Sequence, residues 1–275
     1  VSPVNYDPDA TSSRFGDFLI EVFPNSEIRE MVHRIAGYCI TGSTREEKFF
    51  IAWGSGANGK SKFWESISNT IGSDYAIKAP RGLFVQSRDK SAETMVSSLY
   101  GVRLAMDSET DEGRKLDEGL LKDLTGESII KARFLYKERF DFRATHKLVL
   151  STNHRPKISG TDNGIWRRLV LIPFSVTILE EKRDPLLSEK LKADAEAILS
   201  WLVMGAQIWY NIGLKIPSCV SSVINEYQSE EDIIGQWIQE EICTSHAGKV
   251  SAKDLYTSFK NWTETRGERV ISQKA

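Results

Sequence analysis

Gly54-Ser55-Gly56-Ala57-Asn58-Gly59-Lys60-Ser61 reads G-x-x-x-x-G-K-[ST] at every fixed position. With glycine near ~7% of residues, a chance match in a chain of this length is on the order of one in a hundred. The flanks suit the motif: residues 48–53 form a short apolar run rich in aromatics, and residues 62–71 have helical spacing. A strand, a glycine-rich turn and a helix let backbone N–H groups converge on phosphate oxygens. The glycines bring no Cβ to clash, and the helix N-terminus adds its dipole. In that arrangement Lys60 reaches the β- and γ-phosphates and the Ser61 hydroxyl ligates Mg2+. ATP and Mg2+ are the expected ligands; a plain glycine-rich turn is the alternative.

Outward from the loop, apolar runs of strand length recur at 102–106, 148–151 and 169–174, with helical spacing at 91–100 and 114–124. Strands alternating with helices predict an α/β core with a mainly parallel sheet. Before the core, Phe15, Phe18, Leu19, Val22 and Phe23 lie at helical spacing until Pro24. Ser26 is placed to cap a second helix with Ile28, Met31, Val32, Ile35 and Cys39 on one face, and Gly42 to end it. The expected division is a helical N-terminal accessory region (1–45), a core (46–180), a helical C-terminal extension (181–247, helices at 186–212 and 219–242) and a last segment from 248 with a helix at 252–265.

Three further runs end in polar groups. Residues 102–106 lead into Asp107, Ser108 and Glu109. In P-loop ATPases an apolar strand beside the P-loop strand delivers an acid to Mg2+ and the attacking water. Glu109 is the first choice for polarising water; Asp107 or Asp111 can help hold Mg2+. Residues 147–152 lead into Asn153, whose amide can bond a γ-phosphate or the lytic water, or simply start a turn. Arg167 and Arg168 open the fourth run. Either suits a subunit boundary as an arginine finger, or a surface ion pair.

The 275 residues carry a net charge of −2 and a pI near 6.2, which excludes coating of nucleic acid by bulk charge. A local track is still possible by count. Residues 107–118 hold six acids against two bases, and residues 131–147 six bases against two acids. A −4 block before a +4 block suggests cation binding followed by polyanion binding, with two solvated faces as the alternative. Cys39, Cys219 and Cys243 lie far apart and read as reduced, mostly core cysteines of a cytoplasmic protein. The four histidines form no zinc pattern. No stretch approaches a membrane span and no secretion signal opens the chain. It begins with Val1 rather than Met, as a piece of a longer protein would.

The stretches at 54–61, 108–113 (SETDEG), 122–142 (KDLTGESIIKARFLYKERFDF), 150–153 (LSTN) and 160–174 (GTDNGIWRRLVLIPF) cover the central half of the chain. Together they resemble superfamily 3 helicases, specifically the phage and plasmid primase–helicase family related to the poxvirus helicase–primase. The resemblance implies an AAA+ core in a hexameric ring, with ATP between subunits and a fused or associated primase. It implies Lys60 and Ser61 as phosphate and Mg2+ residues, Glu109 as the acid, Asn153 as sensor, and Arg167, then Arg168, as finger. It also implies a β-hairpin with its tip at Tyr136 and Lys137 that grips DNA in the channel, and a winged-helix-like domain from 248 that stops short. One departure is that superfamily 3 acids are often adjacent, whereas Ser108 separates Asp107 from Glu109, leaving the Mg2+ ligand open.

The residues of that hairpin agree. Lys131 and Arg133 interleave with Ile130 and Ala132, and Lys137, Arg139 and Arg143 with Phe134, Tyr136, Phe140 and Phe142. Bases and aromatics together supply phosphate neutralisation and base stacking; an amphipathic strand pair is the alternative. The leading expectation is an ATP-driven DNA helicase of a phage, plasmid or other mobile element. A DNA-binding initiator or loader that does not unwind is the second, and a small-molecule kinase the third.

Overall fold

Two side-chain caps set the start of the chain. In the computed structural model, which describes residues 2–86, 92–109, 112–160, 163–243 and 248–267, the Ser12 hydroxyl accepts from the Phe15 N–H and starts α1 (Ser13–Val22). Asn25, rather than Ser26, caps α2 (Ser26–Ile40), its Oδ1 accepting from the Glu27 and Ile28 N–H groups. Asn is as good a cap as Ser and stands at the last extended residue. Helix α2 ends at Thr41 with no left-handed residue, so Gly42 is not its terminator. A Cβ on Gly42 would instead stand 2.6 Å from Arg103 Nη1.

The sheet follows. Its strands are β1 (Phe49–Trp53), β2 (Ala76–Lys78) and β3 (Leu104–Glu109), then, after the antiparallel pair β4 (Ile129–Arg133) and β5 (Arg139–Arg143), β6 (Lys147–Thr152) and β7 (Leu169–Pro173). The five sheet strands lie in the order β2-β3-β6-β1-β7, every neighbouring pair parallel. The expected parallel α/β sheet is therefore present, with β2 added to it. The helices between strands are α3 (Lys60–Ile71), α4 (Ala92–Ser97), α5 (Glu118–Gly126) and α6 (Asn163–Trp166). Helical spacing at 114–117 is overridden: Leu116 and Lys115 bridge Val85 and Lys157, and Asp117 caps α5 by accepting from Leu120 N–H.

Both faces of the central strands are covered, so β1 is apolar throughout rather than alternating. Phe50, Ala52, Val149, Val170 and Ile172 join α1, α2 and α3 in one core. On the other face Phe49 meets Phe84 edge to face at 5.4 Å. After β7 come α7 (Leu187–Ala193), α8 (Ala195–Ile212), α9 (Ser218–Glu231), α10 (Ile233–Glu241) and α11 (Ala252–Thr265). Helix α8 crosses α2 at two glycines. A Cβ on Gly37 would stand 2.1 Å from Ala206 N, and one on Gly205 2.3 Å from His33 O. His33 stacks on Trp201 there at 4.4 Å. The chain divides within α9 into two compact units, 1–224 and 225–275. In the second unit Trp237 packs edge to face on Phe259.

Cys39 is buried, but Cys219 and Cys243 are exposed, one in the first turn of α9 and one just past α10, so the cysteines are not mostly core. Among the described residues, no helix is long and apolar enough to cross a membrane.

Candidate functional site

Parallel register brings three strand ends to one edge. Trp53 pairs with Thr152, and Thr152 with Glu109, so the phosphate-loop sequence, Asn153 and the acidic strand end leave the sheet at one level. The Gly54 N–H donates to Thr152 O, tying the loop to β6. Lys60 begins α3 and is buried; its Nζ donates to Gly54 O at 2.5 Å and to Asn153 Oδ1 at 3.0 Å. Burial lowers the Lys60 pKa.

The loop glycines are there for space and for backbone shape. A Cβ on Gly54 would stand 2.2 Å from Phe174 O, which also accepts from Asn58 Nδ2. Gly59 has φ 81° and lies against Val22 of α1. Gly56 and Ala57 are left-handed as well, and Ala57 O accepts from Ile178 N–H. Ser55 and Ser61 are exposed. Gly56 through Lys62 line a cavity of about 1080 Å³ together with Ser108 and residues 151–153. Its outer walls are α1, through Arg14, Asp17, Phe18 and Glu21, and the 178–187 segment, through Lys182 and Arg183. Sequence reasoning missed both walls. Phe18 was visible as a core position, but no motif marks Asp17, Glu21 or Arg183.

Of the β3 residues, Ser108 lines the cavity. Asp107 is 2% exposed, and its carboxylate accepts from the Gly82 and Ser108 N–H groups. It is thus engaged with backbone. The Glu109 backbone closes β3 opposite Thr152; its side chain, like Asp111, lies outside the described residues.

The two arginines part ways. Arg168 is 9% exposed; its Nε donates to Thr125 Oγ1 and its Nη1 to Gly164 O. Held from inside, it does not suit the second-choice finger role. Arg167 is exposed, with Nη2 3.1 Å from Glu47 Oε2. Leu169 pairs with Phe49, so Arg167 stands before the start of β1, at the end of the sheet opposite the loop that follows Trp53. Five residues of β1 at ~3.3 Å each put roughly 15 Å of strand between them.

The β4–β5 hairpin presents one charged face. Lys131 pairs with Asp141, Arg133 with Arg139, and Ile129 with Arg143, all exposed. Arginines directly opposite each other repel; Arg139 is drawn to Glu93 of α4 at 2.9 Å. At the tip Lys137 N–H donates to Phe134 O, and Tyr136, at φ 59°, is 96% exposed. Two sequence expectations are corrected. Phe134 stacks on Phe140 at 4.8 Å, and Phe140 and Phe142 meet Tyr100 edge to face, so of the four aromatics only Tyr136 makes no such contact among the described residues. Lys147 is 2% exposed and leaves the basic track: its Nζ donates to the carbonyls of Thr41, Ser43 and Thr145.

The fold is α/β with a parallel five-stranded sheet, and the 54–61 loop leaves one end of it. A family model described as a family of unknown function (DUF5906) matches residues 52–168. A protein of Acanthamoeba polyphaga mimivirus, named as a candidate helicase, is 29% identical over 274 residues, covering 92% of this chain and 28% of its own length. One of Frog virus 3, named in the same way, is 25% identical and covers 90% and 27%. Other relatives, from African swine fever virus and Fowlpox virus, are named as primases. The chain is thus similar to proteins of large DNA viruses that are named as helicases and primases, as its motif resemblance implied, and spans less than a third of their length. The unliganded C-terminal region (305-718) of NrS-1 has the same fold, at a TM-score of 0.64 and 12% identity over 98% of this chain and 70% of that one.

Proposed function

We propose that this chain is the ATP-hydrolysing motor of a replicative DNA helicase, working as a ring of copies, six by its resemblance to superfamily 3. One observation carries the reading: Lys60 and Asn153 meet at one end of the parallel sheet while exposed Arg167 stands at the other. An arginine so placed serves a nucleotide only if that nucleotide is held by another copy.

Each residue then has a task. The loop N–H groups and Lys60 bind the phosphates, Asn153 orients the γ-phosphate or the water, and Glu109 polarises that water. Ser61 and Glu109 are a hydroxyl and a carboxylate, hard oxygen donors of the kind Mg2+ takes alongside phosphate oxygens and water; bound there, it would neutralise phosphate charge. Asp107 is the second acid of this strand, its carboxylate also accepting from the Gly82 and Ser108 N–H groups. The exposed hairpin face with Lys131 and Arg133, and Lys137 and Tyr136 at the tip, contacts the DNA backbone and bases.

The test has two arms. The chain should displace a strand from a forked duplex with ATP, and DNA should stimulate its ATP turnover. Lys60→Ala and Arg167→Ala, each inactive alone, should regain part of the ATPase activity when mixed, because some mixed interfaces hold both an intact loop and an intact arginine. ATPase without displacement would favour a loader. No recovery at any ratio, with mixed oligomers verified by mass, would refute the assignment of Arg167.

A further inference from the structure

Glu47 holds a backbone shape that its side chain does not favour: its φ is 50°, in the left-handed region. It lies two residues before β1, and Arg167 lies two residues before β7. The register that pairs Phe49 with Leu169 therefore sets the two side by side. Glu47 Oε2 stands 3.1 Å from Arg167 Nη2 and 3.3 Å from Arg168 Nη2. That oxygen is buried yet receives no aligned hydrogen bond among the described residues, so the contact is one of charge rather than of directed donors. Lys48 Nζ donates to Arg167 O and fixes the backbone of the same residue. Arg168 is anchored on Thr125 and Gly164, which leaves Arg167 as the exposed member of the trio.

We propose that Glu47 is the positioning residue for Arg167. Its carboxylate, held by buried Arg168, sets the direction in which the Arg167 guanidinium leaves the chain toward a second copy. This rests on the reading that Arg167 serves another copy's nucleotide. A guanidinium attracted by charge, with no N–H aimed at its partner, keeps its donors for phosphate oxygens. The strained backbone at Glu47 brings the carboxylate between the two guanidiniums.

ATPase kinetics on the full chain test this. Glu47→Gln keeps the size and loses the charge. It should lower kcat about 10- to 100-fold, the scale of a misplaced catalytic group, with little change in KM for ATP. Glu47→Asp should recover part of the loss. Mixed with Lys60→Ala, Glu47→Gln should regain activity; mixed with Arg167→Ala it should not, since both lack the same part. If Glu47→Gln fails to fold, Glu47→Gly, which suits a φ of 50°, carries the same comparison. Wild-type or raised kcat in Glu47→Gln beside an inactive Arg167→Ala overturns the proposal alone, as does recovery in the mixture of those two. Wild-type kcat in Arg167→Ala overturns the underlying reading of that arginine, and the proposal with it.

Discussion

Lys60 Nζ lies 3.0 Å from Asn153 Oδ1, a contact made possible because β1 and β6 end in register. The ammonium is thereby held by one backbone carbonyl and one side-chain amide, both at the mouth of the loop.

The pair should behave as a unit in kinetics. Lys60→Ala should lower ATP hydrolysis by ~10²-fold or more, the scale of losing one charge-stabilising donor, and Asn153→Ala by a smaller factor. The double variant should be little worse than Lys60→Ala, because the two share one function. Fully multiplicative losses in steady-state assays would separate their roles.

Gly37→Ala should destabilise the protein although alanine is the better helix former by ~1 kcal/mol. The added Cβ would meet Ala206 N at 2.1 Å and Gly205 C at 2.2 Å, backbone that cannot swing aside. Overpacking of this kind costs ~1–3 kcal/mol or more. Chemical denaturation would read it as a lower midpoint with an unchanged slope, and an unchanged midpoint would mean that the α2–α8 crossing can open.

The hairpin tip should separate binding from folding. Tyr136 is 96% exposed, so Tyr136→Ala should shift stability by under ~0.5 kcal/mol. If its ring stacks on a base, single-strand binding should weaken by ~1–3 kcal/mol with little salt dependence. Lys137→Ala should flatten the log–log salt slope by ~0.7 or more for each phosphate left without its cation. Wild-type affinity and slope in both variants, measured by fluorescence anisotropy, would remove the hairpin as the DNA grip.

His146 and Lys147 should give the fold two separate pH windows. Burial lowers His146 from 6.5 to about 4, so the unfolded chain takes up a proton that the folded chain refuses, and stability falls as pH drops from 6.5 to 4. Burial lowers Lys147 from 10.5 to about 7. By the same sign, stability should rise with pH between 7 and 10.5, with a slope of at most ~1.4 kcal/mol per unit for one proton. Lys147→Met should abolish the upper window and lower stability overall, because three carbonyls lose their donor. A melting series in which wild type and Lys147→Met run parallel above pH 7 would contradict this.

What could be read from residues alone follows from what each signal measures. The octet at 54–61 fixed a strand before it and a helix after it, and apolar runs located β1, β6 and β7. Strand β2, three residues long, is too short to show a period. Strand order lies in no local pattern, so the meeting of Lys60 with Asn153 was readable only as two motifs. Charge counting put Lys147 in the basic track because a count is blind to burial. Arg167 and Arg168 are indistinguishable as letters; only the register that turns Arg168 toward Thr125 separates them. Glu47 carries no motif at all, since its position depends on a left-handed backbone and on a strand more than a hundred residues later.

The stacked His33 and Trp201 also bear on how the chain is made. They are 168 residues apart, and His33 Nε2 shares a hydrogen bond with Trp201 O. On a ribosome adding ~5–20 residues per second, the face of α2 that packs on α8 would wait roughly 8 to 34 seconds for its cover. During that interval the His33 and Gly37 face of α2, which α8 covers in the finished fold, would meet water or a chaperone. Slowing translation should therefore raise the fraction lost to aggregation, and supplying holdase capacity should restore it.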